Sequence, residues 1–117
     1  MVSASKCQPA LSEDRAAAML AALGSSVRLK VYRLLLRAGT EGISVSTLQR
    51  ASEIPASTLN HHLAALFGAG LVAQERVGRE LICRAEYSGI QRLSAFLLQE
   101  CCADAPMSVI RMLGVTK

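Results

Sequence analysis

Aromatic side chains are scarce in this 117-residue chain, which has two Tyr, two Phe and no Trp. Yet 51% of its residues are hydrophobic, so the apolar content falls largely to Ala and Leu, the usage of a helical protein. No apolar run approaches the ~20 residues that cross a bilayer, and no membrane contact is expected. Met1 to Pro9 hold no signal-peptide core, so the expected compartment is the cytoplasm. Four cysteines in that compartment are expected as free thiols or metal ligands, not as structural disulfides. No Gly-rich phosphate loop and no Ser/His/Asp set is evident, which speaks against an enzyme. The formal net charge of +4 pulls only modestly toward a polyanionic partner. The length suits one domain, and the apolar surplus suggests a subunit interface.

What is present is organised around Ser46 to Leu71. Leu48 and Ala51 predict the inward face of a short helix. Glu53, Ile54 and Pro55 break it, because Pro55 disfavours helical geometry at Ile54 while suiting the first turn of a new helix. Leu59, Leu63, Leu66 and Phe67 then predict one apolar stripe, ended by Gly68 and Gly70. Ser57, Thr58, Asn60 and His61 fall off that stripe near the helix N-terminus, where such side chains can reach base edges and phosphates. This spacing is that of a DNA-binding helix-turn-helix.

The rest of the chain frames it. Residues 1–11 read as a flexible arm, 12–102 as a winged helix-turn-helix domain and 103–117 as a tail. Ser12, Glu13 and Asp14 cap a first helix whose face is Ala16, Met19, Leu20 and Leu23, stopped by Gly24. Ser25 or Ser26 caps a second, with Val27, Val31, Leu34, Leu35 and Ala38 inward and Arg28, Lys30, Arg33 and Arg37 outward. Gly39 to Gly42 turn, and Ile43 makes a brief strand contact. Leu71 to Arg76 and Glu80 to Ala85 predict a β-hairpin about a Val77–Arg79 turn, with Leu81, Cys83 and Ala85 on one face. A hairpin directly after a recognition helix is a wing, and Arg76 and Arg79 on it can reach flanking phosphates. A last helix, about Ser88 to Cys102, is apolar on two sides: Ile90, Leu93, Leu97 and Cys101 on one, Ala95, Leu98 and Cys102 on the other. The fold class is therefore mostly α with a small β-hairpin wing, and dimeric.

The order helix, helix, helix-turn-helix, wing, helix resembles the ArsR/SmtB family of bacterial metal-responsive repressors. The likeness is carried by Leu20–Leu29, by Ser57–Leu66 as recognition helix, and by Gly70-Leu71-Val72 with Val77-Gly78-Arg79 as wing. It implies a homodimer built on the first and last helices, double-stranded operator DNA as partner, and repression relieved by an inducer. The sequence departs from the family at its best-known sites. Arsenite sensors of the founding type carry Cys-x-Cys where this chain has Ile43–Leu48 without cysteine, and zinc sensors carry Asp and His on a last helix that here has no histidine.

Cys101 and Cys102 are the sharpest remaining candidates. Neighbouring residues point about 100° apart on a helix, so joint chelation needs a loosened last turn. Thiolates select soft ions, here trivalent arsenic or antimony as inducer. An organoarsenical such as methylarsenite offers two valences and suits an adjacent pair. Arsenite asks for a third sulfur, with Cys83 or, less favoured, Cys7 as candidates. The alternative for the same thiols is redox or sulfide sensing. His61 and His62 read as DNA-contacting or packing residues, not metal ligands. A phosphatase-type arsenate reductase would need Cys-x5-Arg, and both Cys7 with Arg15 and Cys102 with Arg111 have the wrong spacing.

Overall fold

A computed structural model of the chain describes residues 11–99. Helix α1 (Glu13–Leu23) starts where the Ser12 hydroxyl accepts the Arg15 N–H, and Glu13 and Asp14 complement its positive end. It stops at Gly24. Ser25 repeats the device for α2 (Ser26–Ala38) by accepting the Arg28 N–H. A 3₁₀ turn over Gly39–Glu41 leads through Gly42 into β1 (Ile43–Ser44), then α3 (Val45–Ser52) and α4 (Ala56–Gly68). Strands β2 (Val72–Val77) and β3 (Glu80–Ala85) follow, and α5 (Tyr87–Leu98) closes the described chain.

The sheet is antiparallel in the order β1-β3-β2. Val72 faces Ala85 and Val77 faces Glu80 across the hairpin, whose two-residue loop begins with Gly78 at φ 64°, a place that favours glycine. On the other side Ile43 faces Cys83 and Ser44 faces Ile82. The expected brief strand at Ile43 is thus an edge of the wing sheet, and it ties the helix-turn-helix to the wing. Val31, Leu35, Leu48, Leu59, Leu66, Leu71 and Cys83 are fully buried in the core beneath. Each such aliphatic side chain contributes about 1.5–3 kcal/mol by leaving water.

Periodicity placed the helices correctly but misjudged some edges of their buried faces. Phe67 is 53% exposed, not part of the α4 stripe, which consists of Leu59, Leu63 and Leu66. Leu20 on α1 and Val27 on α2 are also exposed, whereas Ala22 and Tyr32 are buried. On α3 Ser52 replaces Ala51 in the core, its hydroxyl donating to the Gln49 carbonyl at 3.4 Å. A helical stripe has soft edges, and which edge is covered depends on the neighbour's contour. Tyr32 is buried, and that burial, then Tyr87 and Glu86, push its hydroxyl up to about 12. Helix α5 is described over Tyr87–Leu98, with the Gln99 N–H stepping back to the Phe96 carbonyl, and its expected continuation to Cys102 falls on residues outside the described ones. Of the expected arm only Leu11 is described, and it is buried in the core, so the arm gives way to the domain at that residue; the rest of the arm, the tail, Cys101 and Cys102 lie outside the described residues. No helix among the described residues is long and apolar enough to cross a membrane.

Candidate nucleic-acid interface

The turn between α3 and α4 is built by three consecutive residues. Glu53 takes a left-handed conformation at φ 60° and returns its N–H to the Gln49 carbonyl, ending α3. Ile54 is half-buried, and Pro55, at φ −57°, stands as the residue from which α4 departs. No side chain caps α4. The first backbone N–H groups of an uncapped helix have no partner inside it, so this end presents donors and a positive partial charge outward. Leu59, Leu63 and Leu66 seat the helix. Ser57, Thr58, Asn60 and His61 are all exposed along its first two turns, so the four expected contact residues are brought together on one polar face.

The wing presents Arg79 on its loop and Arg76 on β2, both exposed, with the Arg76 guanidinium donating to the Arg79 carbonyl at 3.4 Å. Arg84 differs. It is paired with Glu75 at 2.9 Å and donates to the Thr40 carbonyl at 3.1 Å, so it braces the wing against the 3₁₀ turn. Of the expected thiols, Cys83 alone lies among the described residues. Cys83 is fully buried on the inner face of β3, accepts a 3.6 Å hydrogen bond from the Gln74 amide, and has its thiol pushed up by burial, which that bond only partly offsets. Cys7, Cys101 and Cys102 lie outside the described residues. Among the described residues no three His, Cys, Asp or Glu side chains group as a metal site.

Residues 23–75 match the family described as a helix-turn-helix domain. An ArsR-like transcriptional regulator from Rhodococcus sp. RHA1 superposes with a TM-score of 0.70 at 24% identity, over 89% of this chain and 94% of that one. The homodimeric winged helix-turn-helix DNA-binding domain of a possible ArsR-family regulator from Mycobacterium bovis gives 0.60 at 28% identity, over 78% and 80%. The transcriptional repressor BigR from Xylella fastidiosa gives 0.56 at 29% identity, over 75% and 87%. A comparison with curated protein sequences finds no match. The chain carries a helix-turn-helix domain in the winged fold of ArsR-family transcriptional regulators. The helix-turn-helix marks a DNA-binding transcriptional regulator, and α4 is the second helix of that motif.

Two features of this interface escaped the sequence reading. Ser46, Thr47 and Arg50 are exposed on α3, with the Ser44 hydroxyl capping the Thr47 N–H at 3.1 Å and Arg50 donating to the Thr47 hydroxyl at 3.4 Å. The signal was the Ser44-x-Ser46-Thr47 run with Arg50 one turn on. The second is the partner of His62, a residue read as packing or DNA-contacting: its Nδ1 accepts the Arg28 Nε–H at 3.2 Å. Desolvation first, then Arg28 and His61, hold the His62 imidazole below its ordinary 6.5. Below pH 6.5 the unfolded chain therefore binds more protons at this residue than the folded one. Stability should fall as pH drops from about 6.5 toward the lower folded value, and this contribution should level off beneath it. Urea midpoints measured from about pH 7.5 to 5 check this. His62→Asn should flatten that part of the profile, and an unchanged profile would remove His62 as its source.

Proposed function

We propose that this regulator is a homodimeric repressor that reads double-stranded operator DNA in the major groove and is released by a trivalent arsenical. The observation that carries the DNA reading is the polar, uncapped N-terminal half of α4 standing on three buried leucines. Ser57, Thr58, Asn60 and His61 meet base edges and nearby phosphates, and Arg76 and Arg79 meet the flanking backbone. Dimerisation is supported by apolar side chains left in water on the first and last helices: Leu20 is 44% exposed, Leu97 52% and Leu98 61%. Two-fold symmetry then calls for an imperfect palindrome with half-sites one or more helical turns apart.

Arg79→Ala should weaken binding to every duplex and reduce the salt slope by about 1, as loss of one phosphate contact does. Asn60→Ala should instead relax the base preference at one position of each half-site, at about 1–3 kcal/mol. Anisotropy titrations at several salt concentrations separate the two. A base-specific effect from Arg79→Ala without a salt effect would sink the wing assignment.

The inducer reading rests on Cys101 and Cys102 as an adjacent thiol pair that suits an organoarsenical. Arsenite or antimonite takes Cys7 or Cys83 as third ligand. The buried Cys83 thiol gives up its proton less readily, so its recruitment requires the sheet to open. The test is gel-shift release from a duplex that the protein itself enriches from random-sequence DNA, with methylarsenite, arsenite, antimonite, zinc, cadmium and polysulfide. Release by the arsenicals supports the proposal. Release by zinc alone would overturn it, and release by polysulfide alone would move the assignment to sulfide sensing.

A further inference from the structure

Arg28 joins three helices with one side chain. It stands in the first turn of α2, half-buried, its own N–H held by Ser25. Its Nη1 donates to the Ala22 carbonyl in the last turn of α1 at 3.4 Å, and its Nε donates to His62 Nδ1 on α4 at 3.2 Å. Among the described residues the Arg28–His62 bond is the only side-chain hydrogen bond that ties α4 to the rest of the fold. Apart from backbone bonds at its two ends, α4 is otherwise seated by apolar packing, which is non-directional and permits small rotations about the helix axis. A guanidinium N–H aimed at a ring nitrogen is directional.

The bond also specifies a chemical state. A guanidinium only donates, so Nδ1 must be the acceptor and the His62 proton must sit on Nε2. The His61 ring lies with its centroid 5.9 Å from that of His62, tilted by 57°, so the seat of one histidine bears on the other. We infer that Arg28 is a positioning residue for DNA recognition: acting through His62, it sets the rotation of α4, and so the aim of His61 and Asn60, from the end of α1. The inference rests on α4 being the recognition helix. It adds a direct mechanical tie between that helix and α1, whose exposed Leu20 lies on the proposed dimer face.

The test uses the full chain and an anisotropy-labelled duplex that the wild-type protein enriches from random-sequence DNA. Arg28→Ala should weaken binding about tenfold, the effect of losing one hydrogen bond to a charged group. His62→Leu, of similar bulk but with no acceptor, should lose as much. His62→Asn, whose amide oxygen stands where Nδ1 stood, should stay within about twofold of wild type. Arg28→Ala with His62→Leu should be no worse than either alone. Nitrogen-15 NMR of the wild-type protein should show His62 Nδ1 unprotonated, and in Arg28→Ala a mixture of tautomers. Additive losses in the double variant, no rescue by Asn, or a wild-type Nδ1–H would each overturn the inference. If Arg28→Ala does not fold, the two His62 variants and the wild-type tautomer decide. Failure to enrich any duplex would sink the DNA-binding reading itself, whereas additive losses on an enriched duplex would sink only the role of Arg28.

Discussion

Gly42→Ala should remove roughly 2–6 kcal/mol of folding stability, a large share of the ~5–15 kcal/mol that a domain has. Two costs coincide there. Gly42 has φ +80° and ψ −171°, a region that is essentially reserved for glycine. A methyl group on its Cα would also stand 2.7 Å from the Cys83 carbonyl oxygen and 2.8 Å from Ile82 Cγ2, both in the central strand β3. Gly39 separates the two terms. It has the same φ of +80° but nothing within 4 Å of its would-be Cβ. Gly39→Ala should therefore cost only the backbone term, about 1–3 kcal/mol. Urea unfolding of both variants measures the difference, and equal losses would mean that the contact with β3 is not tight. The consequence reaches function, because Gly42 is the entry to β1 and α3 and fixes where the helix-turn-helix meets the wing.

Serine at both Cys101 and Cys102 should leave DNA affinity unchanged and abolish release by methylarsenite, the largest effect expected on regulation. In the parent, a coupling of ~1–3 kcal/mol would weaken DNA binding ~5–150-fold when the inducer is bound. No inducer ligand is proposed between Ile43 and Leu66, so release must travel through α5. The structure offers α5 a close hold on the recognition helix. Gly89 packs so tightly at the end of α4 that a Cβ there would lie 2.5 Å from the Gly70 carbonyl oxygen. Gly70 and Leu71 are in turn fastened to the Phe67 and Leu66 carbonyls. A shift of α5 therefore cannot leave the C-terminal end of α4 in place. Dissociation from DNA measured against methylarsenite concentration tests this, and a double variant that still dissociates at the parent's concentration would refute it. Cys7→Ser and Cys83→Ser should matter more for arsenite and antimonite than for methylarsenite.

Local chemistry made much of this protein legible in its sequence. Ser12 and Ser25 each satisfy a helix N–H three residues on, so their caps needed no tertiary partner. Pro55 and the 59, 63, 66 spacing placed the recognition helix, and Gly78 placed the wing turn. The polar set of Ser57, Thr58, Asn60 and His61 followed as the complement of a leucine stripe. These are short-range properties, fixed by the φ of a proline or by the repeat of the helix.

Only the tertiary structure decided the rest. Periodicity gives the direction of a buried face but not its edges. Phe67, Leu20 and Val27 therefore stand in water while Tyr32 and Ser52 do not, according to which neighbour covers them. The pairing of Ile43 with Cys83 joins residues far apart in the chain, so strand alternation put Cys83 on one face of β3 but could not set it opposite β1. The same holds for Arg28, which read as one cation on a solvated helix face. Its distinctive chemistry comes from a carbonyl on the helix before it and an imidazole on the recognition helix after it, groups that only folding brings within reach.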